Sequence, residues 1–193
     1  MLKIYFFSDY DNISDELLSD VIESLPKNIK ETATRYKKKE DIRNSAISYF
    51  MLKNALKKDF GLSKFSFIHS VNGKPYLKDN DYVFFNISHC KKGCVCAVSD
   101  KEVGIDIQEI REFSERLAEK VCSEKELQKI EKSKDKSRTF TKIWTKKESL
   151  IKMTGDGFSY GLKKADTTNR DFVIIEKNGC FISVCEKDKK HPL

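Results

Sequence analysis

The sequence has no apolar run approaching the length of a membrane span, so no stretch of it reads as a transmembrane helix. It has no small-residue cleavage site behind its short N-terminal apolar stretch. Asp9 breaks that stretch early, and Met1 to Tyr10 reads as a first strand rather than a signal peptide. It has no Cys-x-x-Cys pair among Cys90, Cys94, Cys96, Cys122, Cys180 and Cys185. Without a secretory signal these read as reduced, mostly buried thiols of a cytoplasmic protein. A zinc site from His89, Cys90, Cys94 and Cys96 fits no common zinc spacing. No literal repeat relates the first part of the chain to the second. Arginine is scarce beside lysine.

What is present suits a globular protein. The chain has 193 residues, enough for one sizeable domain or two small ones. Hydrophobic residues make up 39% and charged residues 35%, but the apolar ones come in periodic runs, which argues for a folded core. The formal net charge is +7. That excess suits an acidic partner: nucleic acid, an anionic membrane, an acidic protein or a polyphosphate. Charge alone does not choose among them.

Lys3 to Phe7 reads as a strand. Ser14, Asp15 and Glu16 open a helix that Pro26 stops. Residues 27 to 39 form a basic run. A second helix spans about Glu40 to Phe60, with Gly61 in the position that ends it. Phe65 to Val71 and Lys74 to Leu77 flank Asn72-Gly73, a tight-turn signal. Three short strand-like runs follow between Val83 and Gln108. In the last, Val103, Ile105 and Ile107 share one face, while Gly104, Asp106 and Gln108 share the other. Asp106 thus stands beside a glycine, where a ligand can approach the backbone closely. Glu112 to Ile130 reads as helical, in one or two pieces. Asn178-Gly179 joins Phe172 to Glu176 with Cys180 to Cys185 in a hairpin, and Lys187 to Leu193 reads as a tail. The order of elements predicts an α+β fold of two similar halves packed side by side, residues 1–101 and 102–193.

The helix predicted from about Ser137 to Met153 carries charge where packing is expected. Phe140, Ile143, Trp144, Leu150 and Ile151 form an apolar arc. Lys147 falls inside that arc, and Glu148 and Lys152 lie at its edge one turn apart. An unpaired buried charge is costly, so these side chains either snorkel outward, form a plain surface pair, or line a wet site. Asp106 and Glu148 offer oxygen ligands for a hard cation such as magnesium. His89, Lys147, Lys152 and the basic run 27 to 39 are phosphate partners. Together they suggest magnesium-dependent handling of a polyphosphate.

Four motifs then stand in order: Gly73-Lys-Pro-Tyr76, Phe85-Asn-Ile-Ser-His89, Val103-Gly-Ile-Asp-Ile107 and Trp144-Thr-Lys-Lys-Glu-Ser-Leu-Ile-Lys152. Their order and spacing resemble the 4′-phosphopantetheinyl transferases, in the larger pseudodimeric type that activates surfactin synthetase and related enzymes of secondary metabolism. The resemblance implies two α+β halves with the site between them, coenzyme A as substrate, and magnesium. A serine of an acidic acyl or peptidyl carrier protein would take the phosphopantetheine group, and adenosine 3′,5′-bisphosphate would leave. It implies roles residue by residue. Asp106 is a metal ligand. Glu148 is a metal ligand and the base for the serine. Lys152 steadies the pyrophosphate, and Ser88 and His89 stand beside the phosphates. Lys74 and Pro75 border the adenine, and Ser45, helped by Arg43 or Asn44, lies near the 3′-phosphate. Gln108 departs from the pattern, since many relatives carry Glu there. Its carbonyl oxygen can still face the metal or a metal-bound water, without charge. A pseudodimer needs no second copy to complete its site, so a monomer is expected, with neither nucleic acid nor membrane as partner. Two alternatives remain from the sequence alone: a carrier-protein and coenzyme A-binding protein with weakened catalysis, and a basic RNA-binding module. The second gives Asp106 and Glu148 no role.

Overall fold

The computed structural model describes residues 1–157, 161–168 and 170–187. Of the expected C-terminal tail, residues 188–193 lie outside these. Strand β1 is Lys3–Phe7, followed by a short 3-10 turn at Tyr10–Asn12. Helices α1 (Asp15–Glu23), α2 (Lys27–Thr34) and α3 (Lys39–Phe60) come next. Ser14 caps α1 through its side chain, which accepts from the Leu17 amide, as the sequence indicated. Gly61 closes α3 in the left-handed conformation at φ 70°. Helix α2 was not foreseen. It lies inside the basic run and buries only Ile29 and Ala33, one turn apart.

Strands β2 (Phe67–His69) and β3 (Pro75–Leu77) pair as a small hairpin. The loop at Asn72-Gly73 is wider than a two-residue turn. His69 pairs with Pro75, and the Ser70 amide donates to the Lys74 carbonyl at 2.9 Å. Strands β4 (Phe84–Cys90), β5 (Gly93–Ser99) and β6 (Val103–Glu109) follow. After them come α4 (Glu115–Val121), α5 (Glu124–Glu131) and α6 (Lys136–Thr154). The hairpin of β7 (Val173–Lys177) and β8 (Cys180–Glu186) turns at Asn178 and Gly179, both with positive φ, as the Asn-Gly pair predicted.

Two antiparallel three-stranded sheets result, in the orders β1-β5-β4 and β6-β8-β7. The first sheet turns Phe85, Cys96 and Val98 toward α1, α2 and α3. Its other face offers Ile4, Phe6, Val95 and Ala97 to Val103, Ile105, Ile107, Ile182 and Val184 of the second sheet. Every residue of β5 is buried because both of its faces are covered. Helix α6 closes the far side of the second sheet with Leu150, Ile151 and Met153, while its first turns pack Phe140 and Ile143 on α4 and α5. Each half is therefore a three-stranded sheet with a long helix on its outer face. The halves meet where β4 lies beside β6, and there the side-chain oxygen of Asn86 accepts from the Ile105 amide at 3.0 Å.

The space beside Gly104 admits a helix, not a ligand. A Cβ placed on Gly104 would sit 2.0 Å from the Ser149 carbonyl oxygen and 2.4 Å from the Met153 nitrogen. Glycine here lets α6 lie directly on β6, which fixes how far the side chains of α6 reach toward the joint between the halves.

Candidate active site

At that joint β4 supplies Asn86, Ile87, Ser88 and His89, β6 supplies Asp106, and α6 supplies Glu148 and Lys152. The Lys152 ammonium donates to Asp106 Oδ1 at 2.6 Å and to Ser88 Oγ at 2.8 Å, and Ser88 Oγ donates to the same Asp106 oxygen at 2.9 Å. Asp106 is only 6% exposed, and its second oxygen, Oδ2, is buried with no hydrogen-bond partner. A buried carboxylate oxygen left unpaired is costly, so the geometry favours a cation there.

Two adjoining pockets open above this cluster. The smaller, about 250 Å³, lies between the 72–75 loop and α6, lined by Lys74, Pro75, Glu148, Lys152, Gly155 and Gly157 among others. The larger, about 540 Å³, runs over β4 toward α2 and α3, past Ser88, His89, Ser45, Tyr49, Arg35 and Tyr36. They share Gly73, Pro75, Asn86, Ile87 and Lys152, so they form one continuous cleft between the halves.

The electrostatics are uneven along the cleft. Burial, and then the charge of Asp106, push the Glu148 carboxyl above its usual value, with Lys152 and Arg111 pulling it back. The surrounding protein, and then the Lys152 ammonium, hold His89 below the ordinary imidazole value, although the residue keeps an exposed edge. Burial lowers Lys74, whose ammonium donates to the Met153 carbonyl at 2.5 Å and lies 5.2 Å from the Tyr76 ring. Lys74 thereby ties the 72–75 loop to the end of α6.

Among the described residues, no group of three or more His, Cys, Asp and Glu side chains is placed to hold a metal. The candidate donors are two carboxylates, Asp106 and Glu148, and the amide of Gln108, which is half-buried on the same face of β6 as Asp106. The charge of Asp106 bears on Glu148, and Asp106 Oδ2 lacks a partner. That set fits a hard cation completed by water and phosphate oxygens.

Most residues singled out in the sequence meet here. Ser45, Lys74, Pro75, Ser88, His89, Glu148 and Lys152 line the cleft, and Asp106 lies beneath it. Two do not. Lys147 is fully buried away from the cleft and is corrected from phosphate partner to structural anchor. Its ammonium meets Glu126 Oε2 at 2.8 Å and donates to the carbonyls of Leu162 at 3.0 Å and Ala165 at 2.7 Å. All three ammonium protons are used, which is how a charge is tolerated inside the packed arc. Arg43 turns away as well. Its guanidinium stacks 4.6 Å from the Tyr10 ring and is not among the cleft residues, because positions 43 and 45 face different sides of α3. Sequence reasoning passed over Asn86, which joins the halves, and Arg111, whose guanidinium lies 5.4 Å from the Trp144 ring and acts on Glu148. Asn86 stood inside a quoted motif. Arg111 stood in none.

Residues 12–101 match the model of the 4′-phosphopantetheinyl transferase N-terminal region, and residues 102–191 match that of the 4′-phosphopantetheinyl transferase superfamily. A 4′-phosphopantetheinyl transferase of Bacillus subtilis is 30% identical over 85% of this chain and 78% of its own length. The transferase gsp of Aneurinibacillus migulanus is 26% identical over 100% of this chain and 79% of its own. Sfp of Bacillus subtilis strain 168 is 30% identical over 69% of this chain and 61% of its own. Two sheet-and-helix halves, a cleft at their joint and matches on both sides of it lead to one assignment: the chain belongs to the 4′-phosphopantetheinyl transferase superfamily.

Proposed function

We propose that this protein transfers the 4′-phosphopantetheine group of coenzyme A to a serine hydroxyl of an acidic acyl or peptidyl carrier protein, with magnesium, releasing adenosine 3′,5′-bisphosphate. The observation that carries this reading is the cluster of Asp106, Ser88, Lys152 and Glu148 at the floor of a cleft between two halves. Asp106 and Glu148 would hold the metal, with Gln108 contributing its carbonyl oxygen directly or through water. Bound there, magnesium would offset the charge of the pyrophosphate and of the leaving phosphate.

The chain's own residues do the rest. Glu148 accepts the proton of the attacking serine, directly or through a water. The serine oxygen bonds to the β-phosphorus as the bridging oxygen to the adenosine side leaves with its electron pair. Lys152 is held by Asp106 and Ser88 in the free protein and steadies the pyrophosphate in the complex. His89 and Ser88 sit beside the phosphates. Lys74 and Pro75 border the adenine, and Ser45 is near the 3′-phosphate. Both halves of the site come from one chain, which supports action as a monomer.

Incubation of an apo carrier protein with coenzyme A, magnesium and this protein should add the phosphopantetheine mass to the carrier. Asp106→Ala and Glu148→Gln should each abolish the addition while circular dichroism stays unchanged. Near-normal turnover by either variant would overturn the assigned roles.

A further inference from the structure

Six thiols are present, and all are free. Cys94, Cys96, Cys122 and Cys185 are enclosed, and burial pushes each of them up. Cys90 and Cys180 differ. Cys90 ends β4 in the first sheet and is only half-buried. Cys180 opens β8 in the second sheet. Their sulfurs lie 3.9 Å apart although the residues are 90 apart in sequence. A disulfide needs about 2.0 Å, so the sulfurs must close by about 1.9 Å, a distance that side-chain rotation and a small shift of the β4–β5 turn can supply.

We infer that Cys90 and Cys180 are a covalent modification site: a dithiol that peroxide oxidises to a disulfide stapling the first sheet to the second. The two sulfurs have different roles. The contact between the two thiols favours the thiolate at Cys90 and disfavours it at Cys180, and the backbone amides of Lys92 and Gly93 also face the Cys90 sulfur, so Cys90 is held below the usual thiol value and Cys180 above it. The other charges near the pair are Glu109, which opposes thiolate formation at both, and Lys92, which favours it at Cys180. Cys90 is the more exposed of the two and the more readily ionised. Its thiolate attacks one oxygen of hydrogen peroxide, the O–O bond breaks, and the second oxygen leaves as water after taking up a proton. Cys90 is now a sulfenic acid. The Cys180 sulfur then attacks the Cys90 sulfur and expels the hydroxyl, which leaves as a second water with the Cys180 proton. Two thiols and one peroxide give one disulfide and two waters. The bond links the end of β4, next to His89, to the start of β8 across the joint. It closes a loop of about ninety residues, which restricts the unfolded chain.

The test treats full-length protein with a small excess of hydrogen peroxide and measures intact mass, without reference to transfer activity. The mass is expected to fall by two hydrogens with no oxygen added. Peptide mapping is expected to join Cys90 to Cys180, a non-reducing gel to show a monomer, and dithiothreitol to reverse the change. The oxidised protein is expected to melt several degrees higher than the reduced one. Cys180→Ser is expected to leave a sulfenic acid at Cys90 that dimedone captures, and Cys90→Ser to leave Cys180 unmodified. A sulfenic or sulfinic acid that persists at Cys90 in the unmutated protein would overturn the inference. So would a bond mapped to any other pair, a cross-linked dimer, or loss of two hydrogens by Cys90→Ser at an undiminished rate.

Discussion

Gln108 shares its strand face with Asp106 and brings a neutral oxygen to a place where a third carboxylate would add charge. Gln108→Glu is expected to tighten magnesium binding by roughly tenfold, since one added unit charge near a hard cation outweighs a carbonyl dipole. Calorimetric titration with magnesium checks this, and an unchanged affinity means that residue 108 does not face the ion. His89 gives a pH prediction. Its folded pKa lies below the ordinary 6.5, first through burial and then through Lys152. Such a group binds fewer protons folded than unfolded, so stability drops as pH falls through about 6.5 toward the lower folded value. His89→Gln should flatten the dependence of melting temperature on pH between about 7 and 5, and an equally steep curve refutes it. Residue types and motif spacing are enough to single out Asp106, Glu148 and Lys152. They do not show that Lys147, one residue from Glu148, points elsewhere. That depends on Glu126 and two carbonyls from separate segments, which no periodicity reveals.

Helix α6 on strand β6 is the contact that sets the site's dimensions. Gly104→Ala would drive a methyl group into the backbone of α6 at Ser149 and Met153, with no flexible side chain to give way. The expected cost is roughly 1–3 kcal/mol or more, read from urea unfolding, with turnover lost beyond that because Glu148 and Lys152 move with the helix. If stability and turnover both stay unchanged, the close packing does not position the site. The pattern around Gly104 marks a place of close approach but names the wrong visitor, because a bare glycine does not say what comes near. Long periodic elements are legible: α3, α6 and the β7–β8 hairpin follow their caps, stripes and Asn-Gly turn. Helix α2 is hidden by its lysines and only two buried residues. The 70–74 loop closes through Ser70 and Lys74 rather than through Asn72-Gly73 alone.

The net charge of +7 belongs to the molecule rather than to any one site. If the carrier is acidic, added salt should raise KM for it several-fold between about 50 and 300 mM, while kcat changes little, because screening acts on encounter and not on the bound complex. A salt-independent KM would mean that the charge does not guide docking. The pairing of the strands also sets an order of events during synthesis. Lys3 pairs with Val98, so β1 waits as an unpaired edge while some ninety residues are made. The first sheet can then close on α1, α2 and α3 before the second half exists. Its other face, with Ile4, Phe6, Val95 and Ala97, stays uncovered until β6 and β8 arrive, and β8 ends only at Glu186. Once the first half has left the ribosome, and until β8 is made, the growing chain therefore carries a nearly finished half with a partly bare apolar face, and it is at that moment, more than in the completed protein, that a chaperone has something to grip.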